Sequence, residues 1–159
     1  MNKYIKTTII VAIILAILFV VLGIAFNLTF RYISYSFYKN EKKLTNADGA
    51  IRKLEMGKDK SLVGYVRSTD YTKAKKTIIY FGGSKDIAYN AVLKYAPIFK
   101  DYTFISVDYP GSQESKGNMN LTTMQGAAVK LYDYAVNLNY VDKNNIYIMG
   151  HSYGTGMAA

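Results

Sequence analysis

The residues best equipped for chemistry form the run Gly150-His151-Ser152-Tyr153-Gly154. A serine with glycine two places to either side fits the G-x-S-x-G turn, which lifts a hydroxyl to the tip of a tight strand-to-helix connection. The flanking residues must lack bulk, because the backbone there closes on itself and the following helix packs close to the strand. The setting agrees with the letters. Ile146-Tyr147-Ile148-Met149 reads as a short strand, and the small residues after Gly154 suit the start of a helix. The chemistry implied is attack by the Ser152 hydroxyl on an acyl carbonyl, with the Tyr153 N–H aimed at the oxyanion that develops. The bland alternative is a glycine-rich turn carrying an ordinary surface serine.

Such a serine needs a sheet beneath it and helices to either side. Residues 51–56 and 61–67 read as strands joined by a turn at Gly57-Lys58-Asp59-Lys60, a β-hairpin. Thr77-Ile78-Ile79-Tyr80-Phe81 is a continuous apolar run of the kind found in central parallel strands, followed by Gly82-Gly83-Ser84 and a helical stretch over 88–99 in which Pro97 bends or ends the helix. Residues 103–107 form the next strand and lead into Asp108-Tyr109-Pro110-Gly111. The polar stretch 112–120 is a loop. Apolar positions Met124, Val129, Leu131, Ala135 and Leu138 then mark a crossover helix over 122–138, and 140–145 turns the chain back into the strand before Ser152. This alternation of short strands and helices predicts an α/β fold with a parallel sheet covered on both faces.

These motifs together resemble the α/β-hydrolases, and among them the Bem46-type serine hydrolases with an N-terminal membrane anchor. In that group one strand ends in an aromatic residue followed by His-Gly-Asn. The next ends in Asp-Tyr-Arg-Gly-Tyr-Gly with Ser and Gly shortly beyond, and the elbow reads Gly-His-Ser-x-Gly. Here Phe81-Gly82-Gly83-Ser84, then Asp108-Tyr109-Pro110-Gly111 with Ser115 and Gly117, then Gly150–Gly154 stand in the same order over residues 60–159. The resemblance implies Ser152 as nucleophile, backbone N–H groups of Tyr153 and Ser84 as oxyanion donors, Gly82 and Gly83 as the open loop facing the elbow, and no cofactor or metal. It implies a structural role for Asp108, holding the loop after its strand, while Tyr109 either lines a pocket or packs. Two departures stand out. Gly82 replaces a His, removing a loop-supporting side chain, and Gln113 replaces a glycine.

The resemblance also implies an acid and then a histidine after the nucleophile. Only His151, inside the elbow, is present in these 159 residues, and its ring is expected to point away from the Ser152 hydroxyl. The expectation is therefore a partial α/β-hydrolase domain, with little turnover from this stretch by itself and with the strand before Ser152 left at an open sheet edge. The parent protein is expected to hydrolyse a carboxylic ester or related acyl substrate. The rival expectation is a non-catalytic membrane-attached interaction module or a pseudoenzyme.

Residues 9–26, IIVAIILAILFVVLGIAF, are uncharged and long enough to cross a bilayer. A cleaved signal peptide would have a shorter apolar region and an A-x-A-like site, so the expectation is a single-pass anchor in the lipid bilayer, with the remainder outside the cytoplasm. Basic residues flank both ends, at Lys3 and Lys6 and at Arg31, Lys39, Lys42 and Lys43, so they give no clear orientation. Tyr32, Tyr35, Phe37 and Tyr38 suit an aromatic belt or ordinary packing. The organisation expected is a stub and anchor over 1–30, a stalk over 31–43 and the partial domain over 44–159.

The net charge of +9 is concentrated at this flank, where six basic groups and one acid fall in residues 1–43. Attraction to anionic headgroups accounts for it, and no basic helix or zinc spacing points to nucleic acid. With no cysteine, disulfides, thiolate metal sites and cysteine nucleophiles are excluded.

Overall fold

A computed structural model describes residues 3–39, 43 and 49–159, with the backbone alone described for 3 and 34–39. The chain divides into two compact units, Met1–Ile33 and Ser34–Ala159. Helix α1, Lys3–Lys39, runs without a break through the expected anchor and most of the expected stalk. Within it the span Tyr4–Ile33 contains an 18-residue window with a mean hydropathy of 3.4 and no buried part, so it is long and apolar enough to cross a membrane. Tyr32 is exposed, whereas the side chains of Tyr35, Phe37 and Tyr38 lie outside the described residues, as does most of the polar stretch 40–48.

The second unit is built on a five-stranded sheet in the order β1-β2-β4-β3-β5, with β1 Ile51–Met56, β2 Leu62–Arg67, β3 Lys75–Phe81, β4 Thr103–Val107 and β5 Val141–Gly150. The hairpin β1–β2 is antiparallel and β2 pairs antiparallel with β4, while β3 runs parallel to both β4 and β5. The sheet is thus mixed, with its parallel part at the end that carries Ser152. Parallel neighbours need long crossovers, and these are α2, Ala88–Tyr95, between β3 and β4, and α3, Leu121–Ala135, between β4 and β5.

Alternation along the strands feeds two cores. Ile78, Tyr80 and Phe104 face α2, where they join Ala88, Ala91 and Val92. Ile79, Phe81, Ile105 and Val107 face the other way, toward Met124, Ala127, Leu131 and Ala135 of α3. Val129, expected on that buried stripe, is instead 61% exposed, and Ala127 occupies the inward position at helical spacing from Met124 and Leu131.

Boundaries differ from expectation for local reasons. Helix α2 stops at Tyr95, two residues before Pro97 rather than at 99: Ala96 caps it with helical φ/ψ and its N–H still donates to the Val92 carbonyl, but Pro97 has no N–H to continue the ladder. Helix α3 begins at Leu121 because Asn120 caps it: its side chain accepts from the Thr123 N–H, and the Thr123 hydroxyl reaches back to the Asn120 backbone. The strand before Ser152 starts at Val141 rather than 146. The register jumps from Lys75–Val141 to Thr77–Ile146, so the residues expected as a turn form an irregularity inside β5, closed by Asp142 accepting from Asn144 and Asn145. Among the described residues β5 pairs only with β3, and its Tyr147 and Ile148 are exposed.

Candidate active site

The chain leaves the C-terminal end of β5 at Gly150, passes through His151, makes a single 3-10 turn over Ser152–Gly154 and enters α4, Thr155–Ala158. The backbone of Ser152 sits at φ +50°, in the left-handed region that L-residues avoid. Holding a non-glycine residue there costs on the order of 1–3 kcal/mol and persists only where the surroundings enforce it.

The enforcement is visible on both sides of Ser152. The His151 N–H donates to the Phe81 carbonyl at 3.0 Å, extending the β3–β5 ladder to the last residue before the serine. The Gly154 N–H then donates back to the His151 carbonyl at 2.8 Å, and the Thr155 hydroxyl donates to the Ser152 carbonyl at 2.6 Å. The two glycines permit this closure. A methyl group on Gly150 would lie 2.6 Å from the Gly154 carbonyl oxygen, and one on Gly154 would lie 2.0 Å from that of Phe81. Both distances are far inside van der Waals contact with backbone that has no room to move.

Ser152 is exposed, and among the described residues its hydroxyl takes part in no hydrogen bond. Tyr153 follows with its ring packed against the α3-side core, where burial pushes the phenol pKa upward. The loop after β3 faces this turn. Gly83 is so near that a methyl group on it would come within 3.2 Å of Ser152 Cβ. The Gly83 N–H is already engaged by the Asp86 carboxylate, whereas the Ser84 N–H makes no hydrogen bond among the described residues.

His151 points its Nδ1 at Asp86 Oδ2, 3.0 Å away, and no hydrogen bond joins its ring to Ser152. Asp86 is the residue that sequence reasoning missed. Besides His151 it accepts from the Gly83 N–H at 2.9 Å and from the Tyr80 hydroxyl at 2.9 Å. Burial raises its pKa, but the Gly83 N–H, the His151 ring and the Tyr80 hydroxyl outweigh burial, leaving the carboxyl below its ordinary value. Its own stretch offers one local signal, an acid three residues beyond a Gly-Gly strand end, and nothing there names His151 as its partner. Position 82 carries no loop-supporting side chain, and other residues supply the support. Asp86 supports the loop from below, filling the space where a side chain on Gly82 would stand 2.6 Å from its Cβ. Tyr109, buried, adds a second support by donating to the Gly82 carbonyl at 3.1 Å.

Asp108 lies at the end of β4, 4% exposed, where its Oδ1 accepts the Ala88 N–H at the start of α2 at 2.7 Å. Ser115 folds the following loop back by donating to the Asp108 carbonyl and accepting from the Val63 N–H. Gln113, at the expected glycine position, adopts φ +48°, the conformation that glycine would favour. Among the described residues no group of three or more His, Asp or Glu side chains is gathered as for a metal ion.

No protein-family model matches the chain, and no curated protein matches it either. Solved structures do. An α/β-hydrolase from Vibrio vulnificus superposes with a TM-score of 0.58 at 21% identity, over 79% of this chain and 49% of its own. An esterase from the hyperthermophilic archaeon Pyrobaculum calidifontis gives 0.53 at 17%, over 84% of this chain and 44% of its own. An ester-hydrolase from the Lake Arreo metagenome gives 0.54 at 11%, over 83% and 43%. The second unit has the α/β-hydrolase fold. The described chain spans less than half the length of each of these proteins. In this fold the strand order and the left-handed serine fall together: the residue at φ +50° stands at the C-terminal end of a parallel strand, beside the loop that ends its parallel neighbour.

Proposed function

We propose that the protein is a membrane-anchored serine hydrolase acting on a carboxylic ester or related acyl group, of the Bem46 type by the order of its motifs. The observation that carries the reading is the strained backbone of Ser152, with its hydroxyl exposed between Gly83 and the start of α4. Lys60 and Gln113 share a left-handed φ on loops, so the weight lies on where Ser152 carries it, at the tip of β5 in a turn that Gly150 and Gly154 allow to close. In the proposed mechanism Ser152 Oγ attacks the carbonyl carbon, and the Tyr153 and Ser84 N–H groups receive the oxyanion. The alcohol leaves, and water then hydrolyses the acyl-enzyme. The reaction requires a base to take the hydroxyl proton. His151 is committed to Asp86, so the reading needs a histidine and acid brought to Ser152 from elsewhere in the whole protein.

The anchor is proposed on Tyr4–Ile33 and the lipid bilayer is its partner, with Ser34–Ala159 on the extracytoplasmic side. The test is hydrolysis of p-nitrophenyl esters of increasing acyl length by the whole protein in detergent. Turnover that falls at least a thousandfold in Ser152→Ala is expected. Equal turnover in both proteins, or none in either, contradicts the reading and favours a non-catalytic membrane-attached module.

A further inference from the structure

We propose that Asp86 is a positioning residue whose carboxylate clamps the loop after β3 to the residue preceding Ser152, fixing the Ser84 N–H relative to the serine. The inference rests on reading Ser152 as the nucleophile and deepens it.

Three donors converge on one oxygen. Tyr80 OH, Gly83 N–H and His151 Nδ1 lie 2.9, 2.9 and 3.0 Å from Asp86 Oδ2, and they come from β3, from the facing loop and from the elbow respectively. Tyr80 is the fixed point. It is 2% exposed and wedged against Tyr95 and Phe104, at ring-centroid distances of 5.3 and 5.7 Å. The loop is closed at its other end as well, because the Asp86 N–H donates to the Gly83 carbonyl at 3.1 Å. Gly83 is therefore tied to Asp86 through both its N–H and its C=O. That leaves Ser84 as the first loop residue whose N–H can turn outward.

On the elbow side, the His151 side chain is 62% exposed, so packing does not set its orientation, and its bond to Asp86 does. Its backbone is held by Phe81 and its ring by Asp86, so the residue before Ser152 is fixed at both ends. An ionised carboxylate can only accept, which gives His151 the tautomer protonated at Nδ1. If Asp86 merely stabilised a turn, its loss would lower the melting temperature and leave the chemistry of folded molecules unchanged.

The experiment compares wild type, Asp86→Ala and Asp86→Asn as whole proteins in detergent micelles, using a fluorophosphonate probe at saturating folded fraction. The second-order rate of modification at Ser152 is expected to fall at least tenfold in Asp86→Ala. Asp86→Asn should recover part of the loss, since an amide oxygen still accepts from Gly83. In parallel, nitrogen-15 spectra of the His151 ring, assigned by their absence in His151→Gln, are expected to report Nδ1–H in wild type and a shift toward Nε2–H in Asp86→Ala, with faster exchange of the Gly83 amide. Wild-type modification rates with an unchanged tautomer and unchanged Gly83 exchange in Asp86→Ala would overturn the proposal. Should wild type itself resist the probe, the hydrolase reading fails, and the ring tautomer and amide exchange alone then decide for or against the clamp.

Discussion

Asp86 and Asp108 stand just beyond the ends of neighbouring parallel strands, yet their surroundings drive them in opposite directions. Asp108 is nearly buried and receives one side-chain hydrogen bond, from the Ala88 N–H, so burial pushes its carboxyl up to about 7 despite that bond. Asp86 is half-buried and receives three, and it lies below the ordinary carboxylate value. Depth alone does not decide ionisation here. Donor count acts with it: Asp108 is the deeper of the two and has one donor, whereas Asp86 is shallower and each of its three N–H or O–H donors offsets part of its desolvation cost. The consequence is a division of labour: Asp108 joins β4 to α2 inside the core, while Asp86 joins two loops at the surface.

The sharpest way to break this comparison is pH. A carboxyl raised in the folded state keeps a proton that the unfolded chain has already released. Asp108 therefore favours folding most at acidic pH, and that advantage is lost as pH rises from about 4 through about 7. The decline should be on the order of 4 kcal/mol, read by urea denaturation across the range, and Asp108→Asn should remove most of the slope. A wild-type curve that is flat between pH 4 and 8 would contradict the description of Asp108.

A smaller effect sharpens it. Glu114 accepts from Lys53 at 2.6 Å and from the Tyr65 hydroxyl at 2.5 Å, with Lys43 at 3.4 Å, and is held down to about 2 by Lys53 first and Tyr65 second. A depressed carboxyl stabilises above its unfolded value and loses that contribution as pH falls through the folded value, the reverse of Asp108. Glu114 is 45% exposed, so solvent screens the cluster. Glu114→Gln is expected to cost less than about 1 kcal/mol at neutral pH, with the difference from wild type vanishing near pH 2.

Much of the framework was legible in the sequence because it depends on short-range patterns. The apolar runs gave β3 and β4 nearly to the residue, and the turn at Gly57 gave the hairpin. The paired glycines of the elbow were readable for the same reason: their lack of bulk is a local demand, and Gly154 meets it against Phe81. What was not legible depends on closure between distant segments. Nothing near Asp86 in sequence announces His151, 65 positions away, because the pairing arises from the β3–β5 register that brings Phe81 beside Gly150. The start of β5 was missed because Asp142, Asn144 and Asn145 carry turn chemistry inside a strand that accommodates them as an irregularity. Val129 was misplaced because its apolar character was read without its position on the helix surface, where Ala127 takes the inward face.

The central claim is that the strained Ser152 is a nucleophile. The most direct measurement is mass-spectrometric mapping of the whole protein after reaction with a fluorophosphonate. A single stoichiometric adduct on the peptide containing Ser152, absent in Ser152→Ala, is the predicted result. An unmodified Ser152 peptide in folded protein, or an adduct that persists elsewhere in Ser152→Ala, would contradict it.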